Sequence, residues 1–282
     1  MAYDDIEVTP VAGACGADVG GVDLAQASDD QIAEIRQALL EHLVLRFRKQ
    51  RLSPDQHKAL GRRFGELNVH PHYHSLDGHP EILPILKEPD ASENIGGVWH
   101  ADVTFLEHPA MGSLLYALEV PPAGGDTLFA NQYLAYDGLS DGMKAMLDGL
   151  AAVHTDTRLS RPDNKARNNA QRSSKLKDDA DVEETANLHP VVRRHPETGR
   201  KGLFVNRAFT RRFQDMSEAE SRALLDFLWA HAVRPEYTCR MDWEKDTLVF
   251  WDNRAVLHHA VNDYPGQRRT MHRVTIEGDR PV

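Results

Sequence analysis

Positive charge, cysteine and long apolar runs are all scarce in this chain of 282 residues. Its 43 acidic and 33 basic side chains give a formal net charge of −10, which argues against sequence-independent binding of DNA or RNA. No apolar run approaches the length of a membrane-spanning helix. The first residues are acidic where a secretory signal is basic. We therefore expect a cytoplasmic protein that binds neither nucleic acid nor membranes.

Cysteine occurs only at Cys15 and Cys239, and the two do not form a Cys-x-x-Cys motif. Such sparse and widely separated cysteines are typical of a reduced compartment and do not indicate a disulfide framework. Histidine, in contrast, occurs 15 times and in groups. We therefore expect the functional residues to include histidines.

Short strand patterns fill most of the chain, while helical patterns are grouped early and late. Capping patterns at Ser28, Ser53 and Ser217 predict three helix starts. Strands and helices do not alternate regularly, which argues against a doubly wound parallel sheet. We predict a mainly β fold with flanking α-helices, in which a double-stranded β-helix (jelly roll) core carries helical decoration.

The stretch 156–187 differs from the rest of the chain, because charged and amide side chains dominate and no helical or strand period is visible. We predict a long irregular excursion from the core, either a solvated loop or a lid over the site. Residues 1–282 then form a single domain that carries this stretch as an insertion.

His100 and Asp102 lie two positions apart in a run of β-forming residues. On a strand, side chains at i and i+2 share a face, so these two could bind one metal ion. A third ligand must come from elsewhere in the chain. Three histidine groups compete for that place: His70, His72 and His74; His189 and His195; and His258 and His259.

The third histidine group follows the sequence Trp-Asp-Asn-Arg at 251–254 and precedes Arg269 and Arg273. Four positions along a strand place both guanidinium groups on one face, and buried arginines there require anions such as carboxylate or sulfonate. Neighbouring side chains face opposite ways, so only one of His258 and His259 can be a ligand. The position after Trp-Asp-Asn-Arg favours His258.

Five phrases then occur in one order: His-Ala-Asp-Val-Thr-Phe, Gly-Gly-Asp-Thr-Leu, His-Pro-Val-Val-Arg, Leu-Phe-Val-Asn and Trp-Asp-Asn-Arg. Over nearly its whole length the chain resembles the TauD/TfdA family of Fe(II)/2-oxoglutarate-dependent dioxygenases. The resemblance implies an enzyme that uses iron(II), 2-oxoglutarate and O₂ to hydroxylate a small organic anion, such as taurine, another sulfonate or an alkyl sulfate. Succinate and CO₂ would be released, often with an aldehyde from collapse of the product. It also implies a homo-oligomer.

The resemblance also implies roles for individual residues. The facial triad of metal ligands would be His100, Asp102 and His258. The distal carboxylate of 2-oxoglutarate would be bound by Thr127 and Arg269. Arg273 would bind the anionic head of the substrate, in a pocket lined by His70, Tyr73, Asn94, Val103 and Phe209. Asn94 matches the family's pocket asparagine only if residues 96–98 hold a one-residue insertion.

One segment departs from the family's taurine enzyme, in which an aromatic residue stands near the substrate. Here the corresponding segment reads Ser160-Arg161-Pro162. This change predicts either a substrate with a second anionic or polar group, or an Arg161 that faces solvent.

Two other functions are compatible with the residues alone. A zinc hydrolase would use His70, His72 and His74, which share a face if they lie on a strand. A non-catalytic sensor would keep the fold and bind metal and 2-oxoglutarate without turnover. Loss of activity in His74→Ala would favour the hydrolase, and binding without succinate would favour the sensor.

Overall fold

The computed structural model describes residues 3–177 and 184–282. Within these ranges the strands are β1 (Glu7–Pro10), β2 (Ala17–Gly20), β3 (Val44–Phe47), β4 (Leu67–Asn68), β5 (Ile82–Lys87), β6 (Gly112–Glu119), β7 (Thr127–Asn131), β8 (Ala151–Thr155), β9 (Ala186–Pro190), β10 (Val192–Arg194), β11 (Lys201–Leu203), β12 (Thr210–Phe213), β13 (Thr238–Met241), β14 (Leu248–Asp252), β15 (Val256–Ala260) and β16 (Arg269–Ile276). The helices are α1 (Asp29–His42), α2 (Pro54–Arg62), α3 (Gln132–Asp137), α4 (Asp141–Leu147), α5 (Thr157–Ser160), α6 (Pro162–Gln171) and α7 (Glu218–Ala232), with a 3-10 turn at Pro235–Tyr237. None of these described helices is long and apolar enough to cross a membrane.

The largest sheet has the strand order β1-β2-β3-β14-β6-β16-β4, and β5 also pairs with β16. Its described pairs are antiparallel except β2 with β3, which are parallel. Helices α1 and α2 cover one face, since their apolar side chains share a buried cluster with those of the sheet. Representative members of that cluster are Ile35, Leu39, Leu60, Leu114 and Phe250.

A second antiparallel sheet has the order β13-β7-β15. One buried cluster joins it to the largest sheet, with Phe129 and Met241 from the second sheet and Leu115, Val249 and Met271 from the first. Two sheets that share a core in this way are the architecture of a jelly roll. The predicted mainly β fold with a double-stranded β-helix core and helical decoration is therefore confirmed.

Three helices begin where the sequence predicts. The side chains of Ser28, Ser53 and Ser217 each accept a hydrogen bond from the third backbone N–H of their helix. In return, the side chain of that third residue accepts a hydrogen bond from the backbone N–H of the capping serine. Each such cap contributes about 1 kcal/mol of helix stability.

The stretch 156–187 is not the irregular loop predicted from its composition. Its described part contains α5 and α6 and reaches β9, while residues 178–183 lie outside the described residues. Helix α6 buries only Asn168, so its sequence lacks the apolar stripe by which amphipathic helices are recognised. Asn168 instead donates a hydrogen bond to the carbonyl of Arg158 at 3.0 Å, which ties α6 to α5.

The segment from His100 to Phe105 is not a strand, and this prediction was wrong. His100 forms an isolated antiparallel bridge with His258, and residues 102–105 then form a turn. Val103 has φ of 46°, a left-handed conformation that costs a β-branched residue about 1–3 kcal/mol. His100 and Asp102 are therefore brought together by a turn rather than by the pleat of a strand.

Candidate metal centre and adjoining cleft

An isolated β-bridge places His100 and His258 next to each other in the site. The backbone N–H of His100 donates to the carbonyl of His258 at 3.1 Å, and the reverse bond measures 2.7 Å. The Asp102 Oδ1 atom lies 3.6 Å from His100 Nε2 and 3.8 Å from His258 Nε2. Ligand atoms of all three buried residues lie within 4.8 Å of one another. Among the described residues this is the group of histidine and acidic side chains that could hold a metal ion.

Hydrogen bonds with Asn253 and Ser113 fix the position of Asp102. Its backbone N–H donates to Asn253 Oδ1 at 3.1 Å, and Ser113 Oγ donates to its Oδ2 at 2.8 Å. Asn253 also donates to Ser113 Oγ at 3.1 Å. This closed set of hydrogen bonds fixes the carboxylate so that Oδ1 faces the two imidazoles.

The hydrogen bonds of His100 select its tautomer. Its Nδ1 lies 2.7 Å from the carbonyl oxygen of Val98, which can only accept, so Nδ1 carries the proton. Nε2 is then the bare nitrogen and lies on the side of Asp102. Burial lowers the pKa of His100 and lowers that of His258 well below its ordinary value, which keeps both rings neutral. Neutral imidazole is the form that binds metal.

Arg273 controls the charge of Asp102. Its NH1 donates to Asp102 Oδ1 at 2.6 Å, and both side chains are buried. Burial raises the pKa of Asp102, but the Arg273 guanidinium together with the hydrogen bond from Ser113 holds that pKa well below its usual range. The carboxylate is therefore ionised at any physiological pH. Two neutral imidazoles and one carboxylate on one side of a point are the donor set of a facial triad, which suits Fe(II).

A second buried arginine lies on the same strand. Arg269 is 3% exposed, its Nε and NH2 atoms have no hydrogen-bond partner within the described residues, and burial lowers its pKa. Its guanidinium stacks 5.5 Å from the ring of Trp243, whose Nε1 donates to Thr127 Oγ1 at 3.1 Å. A buried cation with two free donors on one edge is an incomplete site for a carboxylate. Thr127 and Arg269 are thus linked through Trp243.

An open cleft adjoins the metal group. It is lined by His100 and Asp102 and by five of the six residues predicted to bind substrate, which are His70, Tyr73, Val103, Phe209 and Arg273. The sixth, Asn94, lines the neighbouring hollow and donates its amide to the carbonyls of Ala260 and Val261 at 3.2 and 3.4 Å. Its contact with substrate stays a prediction.

The His70 ring is oriented by the backbone around it. Its Nδ1 accepts hydrogen bonds from the N–H groups of His72 and Tyr73 at 3.1 and 3.3 Å. Burial and the nearby Arg273 lower the pKa of His70 well below its ordinary value. The neutral ring therefore carries its proton on Nε2, where it can donate to a ligand in the cleft.

The other histidine groups do not form metal sites within the described residues. The predicted strand at His70, His72 and His74 is absent, since only an isolated bridge at Tyr73 occurs there. His74 is exposed, whereas His72 is buried and its Nε2 lies 2.8 Å from Oδ2 of the buried Asp156.

The second histidine group and His259 have other contacts. His189 Nε2 lies 3.0 Å from the Leu106 carbonyl, and His195 Nε2 lies 3.0 Å from Asp252 Oδ2. The ring of His259 lies 5.5 Å from that of Trp99, away from the metal group. His258 is the residue whose ring approaches His100, at 4.1 Å between centroids.

Sequence reasoning missed several residues that build the site. Asn253, which was assigned no functional role from the sequence, forms hydrogen bonds with both Asp102 and Ser113. Its place in the Trp-Asp-Asn-Arg phrase was the available signal. Ser113 and Trp243 gave no signal, because each acts on a residue far away in sequence. Three arginines at the mouth of the cleft, Arg158, Arg167 and Arg172, were hidden in a charged stretch.

Comparisons with known proteins agree with this geometry. The profile of the taurine catabolism dioxygenase TauD, TfdA family matches residues 7–275. The chain is 34% identical to the alkylsulfatase of Acinetobacter baylyi, over 97% of this chain and 86% of that protein. It is 36% identical to the alpha-ketoglutarate-dependent (2-oxoglutarate-dependent) sulfate ester dioxygenase of Pseudomonas putida, over 99% and 91% of the two chains.

A solved structure shows the same likeness. The crystal structure of a taurine dioxygenase from Burkholderia xenovorans has a TM-score of 0.82 and 37% sequence identity to this chain, and the match covers 99% of this chain and 93% of that one. The chain therefore belongs to the TauD/TfdA family of 2-oxoglutarate-dependent dioxygenases.

Proposed function

We propose that the protein is an Fe(II)- and 2-oxoglutarate-dependent dioxygenase that hydroxylates a small organic anion, of the sulfonate or sulfate ester class. The observation that carries the proposal is the group His100, Asp102 and His258, whose ligand atoms lie within 4.8 Å of one another beside a cleft. Three ligands on one side of a metal leave the other positions to cosubstrate and O₂.

Iron(II) bound by these three residues would supply the decarboxylation of 2-oxoglutarate to succinate and CO₂, coupled to hydroxylation of the substrate by O₂. The chain's own contribution is position and charge. Ser113 and Asn253 fix the Asp102 carboxylate, and Val98 fixes the His100 ring. Because Asp102 and His100 are each oriented by other groups, these two ligands lose little entropy when they bind metal.

Arg269 and Thr127 would bind the distal carboxylate of 2-oxoglutarate. The free Nε and NH2 donors of Arg269 match the two oxygens of a carboxylate, and the Thr127 hydroxyl can add a further donor. Trp243 restrains both groups, since it stacks on one and donates to the other. This arrangement supports the roles that the family resemblance assigns to these two residues.

Arg273 and His70 would bind the anionic head of the substrate. Arg273 uses NH1 on Asp102, while its buried Nε has no partner among the described residues and is free to donate. His70 can donate from Nε2, and Tyr73, Val103 and Phe209 supply apolar contact. A sulfonate or sulfate held here places its adjacent carbon beside the metal group. Hydroxylation of that carbon yields an unstable product, which releases sulfite or sulfate and leaves an aldehyde.

The test is substrate-dependent formation of succinate from 2-oxoglutarate, with Fe(II) and O₂, across alkanesulfonates including taurine, alkyl sulfates and aryloxyacetates. We expect succinate together with an aldehyde for at least one sulfonate or sulfate ester, and loss of both products in Asp102→Ala. Activity without O₂ would contradict the proposal, as would binding of metal and 2-oxoglutarate with no succinate for any compound.

His74→Ala serves as the matched control for this test. Its side chain is exposed, whereas His70 and His72 already use ring nitrogens on the backbone and on Asp156. A dioxygenase should retain full activity in this variant. A zinc hydrolase built on the three histidines would lose it.

We propose that residues 1–282 act as one dioxygenase domain, with the described part of the stretch 156–187 closing over the cleft. Arg158, Leu159 and Arg172 from this stretch line the cleft, which supports the second point. Homo-oligomerisation stays a prediction that light scattering on the purified protein would test, and a cytoplasmic location is tested by cell fractionation.

A further inference from the structure

The mouth of the cleft is rich in positive charge. Arg158 lies on α5, Arg167 lies on α6 and Arg172 follows α6 directly, and all three line the cleft that also contains Arg273. The same three arginines line the neighbouring hollow, which is continuous with the cleft at Gly97 and Val98. On a chain with a net charge of −10, such a cluster is a local reversal of sign.

These cations are poorly neutralised. Neither Arg158 nor Arg167 forms a side-chain hydrogen bond or an ion pair within the described residues. Burial lowers the pKa of Arg158, and repulsion from Arg172, Arg167 and Arg207 adds to this effect, while Glu93 opposes it. Three like charges that are matched, within the described residues, by Glu93 raise the free energy of the cluster, and an anion that binds there would lower it.

Arg172 is the least exposed of the three arginines. Its side chain is 16% exposed, and its buried Nε has no hydrogen-bond partner within the described residues. NH1 donates to Tyr73 Oη at 3.4 Å and NH2 donates to Glu93 Oε2 at 3.3 Å, so both bonds are long. A guanidinium that is anchored on a cleft-lining tyrosine and keeps a free donor is suited to bind a ligand anion.

Arg161 stands where the family's taurine enzyme has an aromatic residue near the substrate, but it does not line the cleft. Its side chain is 61% exposed and its Nε lies 3.5 Å from Glu184 Oε2. Leu159, not Arg161, enters the lining of the cleft. Of the two outcomes predicted for Arg161, the one in which it faces solvent is therefore confirmed. The charge at the cleft comes from its neighbours.

We propose that Arg158, Arg167 and Arg172 form a second anion-binding subsite at the mouth of the cleft, so that the substrate is a dianion with an anionic group at each end. The head beside the reacting carbon binds at Arg273, and a carboxylate or sulfonate at the far end binds at the three arginines. This inference rests on the proposed function, because that function defines the head-binding end of the cleft.

Binding tests the subsite without turnover. Alkyl sulfates and alkanesulfonates are prepared in pairs of equal chain length that end either in a carboxylate or in a methyl group. Affinities are measured anaerobically by calorimetry on the enzyme with Mn(II) and 2-oxoglutarate. For at least one chain length we expect the carboxylate-terminated member to bind about 10-fold more tightly than its methyl partner, since the subsite is partly exposed. The preference should shrink at high ionic strength.

Substitutions show which arginines produce the preference for the carboxylate-terminated ligand. Arg172→Gln should remove most of the about 10-fold preference and leave the affinity for the methyl-terminated partner within about 2-fold. Arg161→Gln removes the same charge from an exposed position and should change neither affinity. Circular dichroism and the melting temperature show that each variant is folded. Arg158→Gln/Arg167→Gln provides a second variant set should Arg172→Gln fail to fold.

The outcomes separate the two proposals. Equal affinity for both members of every pair would overturn the subsite. The subsite would also be overturned if Arg172→Gln lowered the affinity for 2-oxoglutarate as much as it lowered the affinity for the dianion. In that case the arginines would bind the cosubstrate. A retained preference without succinate for any compound would support the subsite and contradict the dioxygenase function.

Discussion

Replacing Arg269 by methionine should abolish binding of 2-oxoglutarate without destabilising the free protein. The side chain is 3% exposed, and its Nε and NH2 atoms have no partner within the described residues. Before the cosubstrate binds, the buried charge is uncompensated and lowers stability. Arg269→Met removes that charge at similar length and keeps the contact with Trp243. We therefore expect the free energy of unfolding of the variant, without ligand, to equal or exceed that of the wild type.

The loss of affinity follows from the two free donors of Arg269. Each charge-assisted hydrogen bond contributes about 1.5–3 kcal/mol, so the pair supplies about 3–6 kcal/mol to a bound carboxylate. At about 1.4 kcal/mol per decade, Kd for 2-oxoglutarate should rise by about two to four orders of magnitude.

Denaturant unfolding with and without 2-oxoglutarate measures both effects on one sample. With Mn(II) present, cosubstrate at about 100 times Kd should raise the free energy of unfolding of the wild type by about 2.7 kcal/mol. The same concentration should raise the free energy of unfolding of Arg269→Met by about 0.4 kcal/mol at most. Arg268→Met is the matched control, because Arg268 is 46% exposed and pairs with Glu88 and Glu119 at the surface. A variant that is unstable without ligand yet retains the wild-type Kd would refute the reasoning and make Arg269 a structural residue.

Two further predictions concern groups outside the cosubstrate site. Asn253→Ala leaves the backbone N–H of the buried Asp102 and the Nε1–H of Trp251 without their hydrogen-bond acceptor. Metal affinity should therefore fall about 10- to 100-fold in an anaerobic Fe(II) titration. An unchanged affinity would contradict this role of Asn253. Burial lowers the pKa of His57 to about 3, so below pH 6.5 the unfolded chain takes up a proton that the native chain does not. Between pH 7 and pH 5 the wild type should therefore lose about 2 kcal/mol more unfolding free energy than His57→Gln, whereas equal losses would show that His57 is already protonated in the native state.

Local features were predictable where neighbouring residues decide the structure. The helix starts at Ser28, Ser53 and Ser217 follow from capping side chains within three positions, and the structure contains all three caps. The identities of the candidate ligands came from phrases in the sequence. Their geometry depends on which side chains meet once the sheets have formed.

The turn after His100 could not be predicted in this way. The β-forming residues at 103–105 favour a strand, but tertiary contacts override this preference. The Asp102 amide bonds to Asn253, which lies 151 positions away, and Val103 adopts φ of 46°. The hydrogen bond between His72 and Asp156 spans 84 positions and was missed for the same reason.

The central claim is that His100, Asp102 and His258 bind one iron(II) ion with 2-oxoglutarate. Its most direct test is anaerobic addition of 2-oxoglutarate to the Fe(II)-loaded protein, followed by visible absorption. We predict a weak charge-transfer band in the wild type and in His259→Ala, whose ring lies against Trp99, and no band in His258→Ala. No band in the wild type, or equal bands in the two variants, would contradict the claim.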